Sequence, residues 1–202
     1  MYNRFFAGCV LCFFLTGCGI STSSFENRYF PVKSLKERKS SLGFTITPPS
    51  GMGWYEKLHK DSLYYLKRVQ NNGHEIYTKA QELRLQQKPT DLLEFVEFVV
   101  ESKAIDAASG IYKNYSFRYF LDYTLSPYCV RYSQSYDDYN HSNLKTGEFV
   151  KVTHGGLVCL HPDTPKTGVD MSYKESYLDT RQRSAKSYRR EGEHFLSSLR
   201  FL

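Results

Sequence analysis

Between Ser116 and Tyr177 the chain repeats one pattern, a short run rich in Tyr, Phe and Val followed by a break of Pro, Gly, Asp or Asn. The runs are "SFRYFLDYTL", "YCVRYSQSY", "GEFVKVTH", "GLVCLHP" and "VDMSYKESY". Aromatic and β-branched side chains suit a pleated, half-buried surface, and the breakers end each run before it grows long. Such a series folds as an antiparallel meander. In it, His154-Gly155-Gly156 is expected as a hairpin turn between two strands.

Upstream, "LGFTITPP" alternates Phe44 and Ile46 with threonines and stops at two prolines, which predicts one strand before the turn in "PSGMGW". The runs "SLYYLKRV" and "HEIYTKAQELRL" flank "QNNG", whose Asn72-Gly73 pair suits a type I′ hairpin turn. The period then changes. In "PTDLLEFVEFVVESKAI", Thr90 or Asp91 can cap a first turn, Glu94 completes a capping box, and Leu92, Val96, Val99 and Val100 recur at helical spacing. A helix from about 90 to 107 is expected, and a second, amphipathic one in "RSAKSYRREGEHFLSSLRFL". Together these elements predict an α+β domain over 42–202, an antiparallel sheet with helices packed on its faces.

The N-terminus carries a different signal. Met1 to Arg4 form a basic start, Phe5 to Leu15 carry no charge, and small residues precede Cys18. This is the layout of a secretory signal, and its apolar run falls short of the about 20 residues that a spanning helix needs. Leu15-Thr16-Gly17-Cys18 resembles the lipobox of bacterial lipoproteins. That resemblance implies cleavage before Cys18, diacylation of its thiol and acylation of the new N-terminus. Gly19, where an Asp would imply retention at the inner membrane, implies the outer membrane, with the domain facing periplasm or cell surface. The expected organisation is a signal over 1–17, an acylated N-terminus and tether over 18–41, and one globular domain. Several acyl chains on one residue make a durable anchor where one chain is marginal.

A second resemblance rests on the two ends of the domain. "GFTITPPSGMGW" and "EGEHFLSSLRF" resemble the PsbP/Mog1-like α/β/α fold, which implies a binding or assembly role rather than catalysis.

Charge and cysteines bound the partners. The chain has 27 Lys and Arg against 21 Asp and Glu, and only Arg4 leaves with the signal, so the mature surplus is +5. At an envelope this favours an anionic polymer or glycolipid, or an envelope protein, as partner. Nucleic acid lacks support, because no long basic run occurs and the chain carries an export signal. Cys9 and Cys12 lie in the signal and Cys18 carries lipid, which leaves Cys129 and Cys159 as a disulfide, with Cα atoms expected about 4.4 to 6.8 Å apart.

The one dense group of reactive side chains is "HGGLVCLHPD", with His154, Cys159, His161 and Asp163. Cys159 has a structural use as a half-cystine, which removes its thiolate. No catalytic residue is assigned; the alternative is an envelope hydrolase using His161 and Asp163. No metal motif, phosphate loop or nucleophile elbow occurs, so neither metal nor other cofactor is expected. Trp54 is expected as a core cap behind its turn.

Overall fold

The computed structural model describes residues 29–59, 61–69, 73–105, 111–140, 144–179 and 187–202; the signal and Cys18 lie outside them. One antiparallel sheet dominates. Its order is β1 (Phe30–Pro31), β4 (Tyr55–His59), β5 (Ser62–Val69), β6 (His74–Arg84), β10 (Thr167–Leu178), β9 (Val150–Leu160), β8 (Cys129–Asp138), β7 (Tyr112–Leu121). A small sheet orders β11 (Arg200–Phe201), β3 (Phe44–Ile46) and β2 (Arg38–Lys39). Between these strands the chain forms α1 (Leu92–Lys103) and α2 (Arg189–Leu196).

Strands take 49% of the described residues and helices 13%, so the chain is mostly β. This overturns the expected α+β class with helices layered on the sheet, and with it the α/β/α sandwich implied by the PsbP/Mog1 resemblance. The physical reason lies in lengths. β6 to β10 run 10 to 12 residues each, whereas the helices hold 12 and 8 residues and cover only patches of the sheet. The closing helix stops at Leu196, and Arg200–Phe201 turns into a strand paired with Phe44 and Thr45. The first residues of the amphipathic segment, 183–186, lie outside the described residues.

The expected turn at His154-Gly155-Gly156 is absent. The chain runs straight through it as one strand, β9, paired with β8 and β10 along its length. These glycines serve close approach rather than bending. A Cβ on Gly155 would lie 2.6 Å from the Tyr173 ring, and one on Gly156 would lie 2.3 Å from the Tyr132 ring. Glycine lets a large ring lie flat over the backbone of its cross-strand neighbour.

Local capping agrees with the sequence at α1. Asp91 Oδ1 accepts from Glu94 N at 3.0 Å, and Glu94 reaches back to the Thr90 amide at 2.5 Å and to the Thr90 hydroxyl. One orphan amide of the first turn, that of Glu94, is thereby satisfied, and the Glu94 carboxylate ties down the residue before the cap in place of the Asp91 amide of a regular capping box. β5 and β6 pair antiparallel; of their turn, Gly73 has φ 59°, and 70–72 lie outside the described residues. Within the stretch read as a tether, Phe30–Pro31 pairs with β4, and Arg38 ion-pairs with Glu56 at 3.0 Å, so the fold begins before Leu42.

The sheet buries both faces unequally. One face carries Tyr65, Ile76, Leu157, Met171 and Tyr173 against Phe195, Leu196 and Leu199 and against Phe44 and Ile46 of the small sheet. The other buries Val130, Tyr132, Val158 and Leu160 against Phe95, Val96 and Val99 of α1. Cys129 and Cys159 are bridged, fully buried, with Cα atoms 4.1 Å apart. That is closer than the expected range because the two cysteines stand directly opposite in β8 and β9. The Leu160 amide donates to the Tyr128 carbonyl just outside them, which makes theirs a non-hydrogen-bonded pair, the narrower of the two antiparallel spacings.

Candidate binding face

The residues grouped by the "HGGLVCLHPD" stretch are dispersed. His154 and His161 are an odd number of positions apart on a continuous strand and its extension, so they belong to opposite faces. His161 is buried with its ring 5.0 Å from that of Phe201, and its Nδ1 accepts from the Asp163 backbone amide at 3.2 Å. The Asp163 side chain is exposed. The contact between these two residues is therefore that of a turn, with the amide and not the carboxylate meeting the imidazole. Among the described residues, no group of three or more His, Cys, Asp and Glu side chains is placed to hold a metal ion.

His154 sits instead beside the end of α1. Gln134 Nε2 donates to His154 Nδ1 at 2.7 Å, which assigns the ring proton to Nε2, 3.4 Å from the Tyr132 oxygen. Lys103, in the last turn of α1, bonds Asp170 of β10 at 2.5 Å and lies 5.7 Å from the centre of the Tyr132 ring. Burial, then the positive charges of Lys103 and Lys174, push the His154 imidazole down to about 4, with Asp170 opposing them. The ring is neutral at physiological pH.

The sign of its pH effect follows. The folded value of about 4 lies below the unfolded 6.5, so between those values the unfolded chain takes up a proton that the folded chain refuses. The stability held above pH 6.5 is lost as pH falls toward 4, on the order of 2 to 3 kcal/mol once the partial exposure of the ring is allowed for. Urea unfolding from pH 7.5 to 4 in wild type and His154→Gln should show the loss reduced by that amount in the variant. Parallel pH profiles would count against it.

Beyond Lys103 the same face of the sheet is open among the described residues. Register places Tyr64 opposite Lys79, Lys79 opposite Ser172, and Lys174 between Tyr77 and His154. The Tyr64 and Tyr77 rings lie 5.8 Å apart and 31° from parallel, with the Lys79 ammonium 5.9 Å from the centre of the Tyr64 ring. Tyr55, 45% exposed, and Lys57 continue the face on β4. Tyr29, the first residue described, joins it. The Tyr77 phenol is held above its ordinary pKa by burial, then by the neighbouring Tyr29 and Tyr64 phenols. Lys79 and Lys174 have no carboxylate within ion-pair distance among the described residues. An aromatic strip flanked by unneutralised cations is a surface for a ligand that is both flat-sided and negative.

The other polar groups of note serve the fold. Trp54 is buried as expected; its Nε1 donates to Glu191 Oε2 at 2.7 Å and to the Ser50 carbonyl at 3.1 Å. Glu191 also binds Lys67 at 2.8 Å. Glu175, buried on β10, meets His74 Nε2 at 2.8 Å and accepts from the Tyr188 amide at 2.7 Å and the Ser187 hydroxyl at 2.9 Å. It supplies the acceptor at the start of α2, where the N-cap side chain makes no capping bond.

Sequence reasoning missed the open face, because its members come from β4, β5, β6 and β10 and from the residue before β1, and only strand register brings them together. The available signal was the alternation Tyr64-Leu66 and Tyr77-Lys79, which places each pair on one face once both runs are strands. No family model matches the chain, and no curated protein matches it.

Proposed function

We propose that the chain is a membrane-anchored lipoprotein of the bacterial envelope whose mostly β domain binds an envelope protein or anionic polymer without catalysis. The observation that carries the binding reading is the open tyrosine-lysine face, on which Lys79 and Lys174 have no carboxylate within ion-pair distance among the described residues, the neighbouring Asp170 and Glu75 being paired with Lys103 and Arg68. The lipobox-like Leu15 to Cys18 supports the anchor, and the surplus of basic residues supports a negative partner. The amide-to-imidazole contact between Asp163 and His161 supports a non-catalytic role over the hydrolase alternative.

Metabolic labelling with a fatty-acid analogue tests the anchor. Wild type should be labelled and sediment with membranes; Cys18→Ser should lose the label and accumulate as uncut precursor or soluble protein. Equal labelling of both would refute it. A photo-crosslinker at Tyr55 should capture envelope material in cells, and the same group at Tyr123, on the loop after β7, should not. Turnover of peptidoglycan, lipid or glycan by the purified protein, abolished by His161→Gln, would overturn the binding reading in favour of the hydrolase.

A further inference from the structure

The open face is not a plane. α1 stands on the same side of the sheet, over β8 and β9, and its Lys103 is fastened to Asp170 on β10. A helix with its side chains is about 10 to 12 Å across, so it forms a wall of that height. Next to the wall lie Ser172, Lys174 and His154; further out come Tyr77, Lys79 and Tyr64, then Lys57 and Tyr55. The result is a ledge with a back wall. A bilayer surface cannot lie flat against Lys174 without first striking α1. A linear chain laid along the foot of the wall can.

We propose that this ledge holds an acid-bearing glycan, its sugar rings on Tyr64 and Tyr77 and its carboxylate or phosphate groups at Lys79 and Lys174. The inference rests on the binding reading above and names the ligand class for that face. Sugar rings have an apolar C–H side that packs on aromatic rings, and the two tyrosines offer adjacent surfaces whose centres are 5.8 Å apart. Lys79 and Lys174 are diagonal neighbours on adjacent strands, which separates them by roughly 7 to 8 Å and lets acid groups on successive sugars meet one each. Asp170, the nearby acid of β10, is neutralised by Lys103 and does not repel the ligand. Half-buried His154, which is neutral, and Ser172 supply hydroxyl-matching groups along the wall.

The test uses the mature acylated protein in detergent micelles with defined probes: an alginate oligosaccharide as polyuronate, a neutral cello-oligosaccharide of the same length, vesicles of phosphatidylglycerol and phosphatidylethanolamine, and a thymidine oligonucleotide. Titration calorimetry should find alginate binding that weakens as salt rises and exceeds that of the neutral glycan at least tenfold. Lys79→Ala with Lys174→Ala should weaken it at least tenfold. Tyr64→Leu, which keeps an apolar contact to Tyr77, should weaken it about as much, and Tyr123→Ala should leave it unchanged. The two lysine substitutions are on the solvent side and keep the outcome readable if the tyrosine variant unfolds. No alginate binding, equal binding of the neutral glycan, indifference to the lysine variants, or preference for vesicles or oligonucleotide would each overturn the assignment. If alginate fails while the Tyr55 crosslinker still captures an envelope partner, the ligand class is wrong and the binding module stands; if the crosslinker captures nothing as well, the binding reading falls too.

Discussion

Glu175→Ala should cost about 3 to 5 kcal/mol, because it breaks a buried pair and leaves its partners without an acceptor. The carboxylate and the His74 ring are each 3% exposed, and the Tyr188 amide and Ser187 hydroxyl bond the same side chain. After truncation the His74 Nε2 stays enclosed between the rings of Tyr177 and Tyr188, 5.6 and 5.2 Å from its centre. The Tyr188 amide also loses its partner at the start of α2. Glu175→Gln keeps the size and one acceptor oxygen and should cost less than half as much. Chemical denaturation of the two variants checks this; a loss below about 1 kcal/mol for the alanine variant would show the site wetter and looser than its geometry.

Replacing both cysteines, Cys129→Ala with Cys159→Ala, should lower stability by roughly 3 to 4 kcal/mol, from the loop-entropy relation for a closed loop of 30 residues. The bridge joins strands already hydrogen-bonded to each other, so the native backbone should change little and the effect should fall on the unfolded chain. The unfolding slope should therefore change along with the midpoint, since the uncrosslinked denatured state exposes more surface. A double variant as stable as the oxidised wild type would refute this account.

Much of the fold can be read in the sequence where one local rule acts alone. Asp91 and Glu94 announce α1 through side chains that reach only their own first turn. The Tyr- and Val-rich runs announce strands because period-two alternation survives any choice of neighbour. Gly155 and Gly156 mislead for the converse reason. Their role depends on Tyr173 and Tyr132, which reach them only across strands, and sequence alone makes a glycine pair a turn. One wrong turn also hid the separation of His154 from His161, since only an uninterrupted strand fixes the two on opposite faces. The binding face is further from view, as the meeting of Tyr29, Tyr64 and Tyr77 requires the pairing of β4, β5 and β6 in register. The overestimate of helix arose at the C-terminus, where the stripe of Phe195, Leu196 and Leu199 continues past Leu196 while the backbone has already turned to pair with β3.

The order of the large sheet has a consequence for how the chain reaches it. β4, β5 and β6 are consecutive neighbours, and so are β7, β8, β9 and β10, so each group is a meander that pairs by short-range closure. The two groups meet only where β6 lies against β10, with Arg84 opposite Thr167, about 80 residues away along the chain. Joining them is the long-range event, and such closures govern folding rate more than stability. The disulfide lies inside the stretch between Arg84 and Thr167 and shortcuts it by 30 residues, but closure entropy varies only with the logarithm of loop length, so its removal should slow the joining of the halves very little. The seam between β6 and β10 is thus the place where an incompletely folded chain exposes two unpaired strand edges at once, and where another copy of either half can insert before its own arrives.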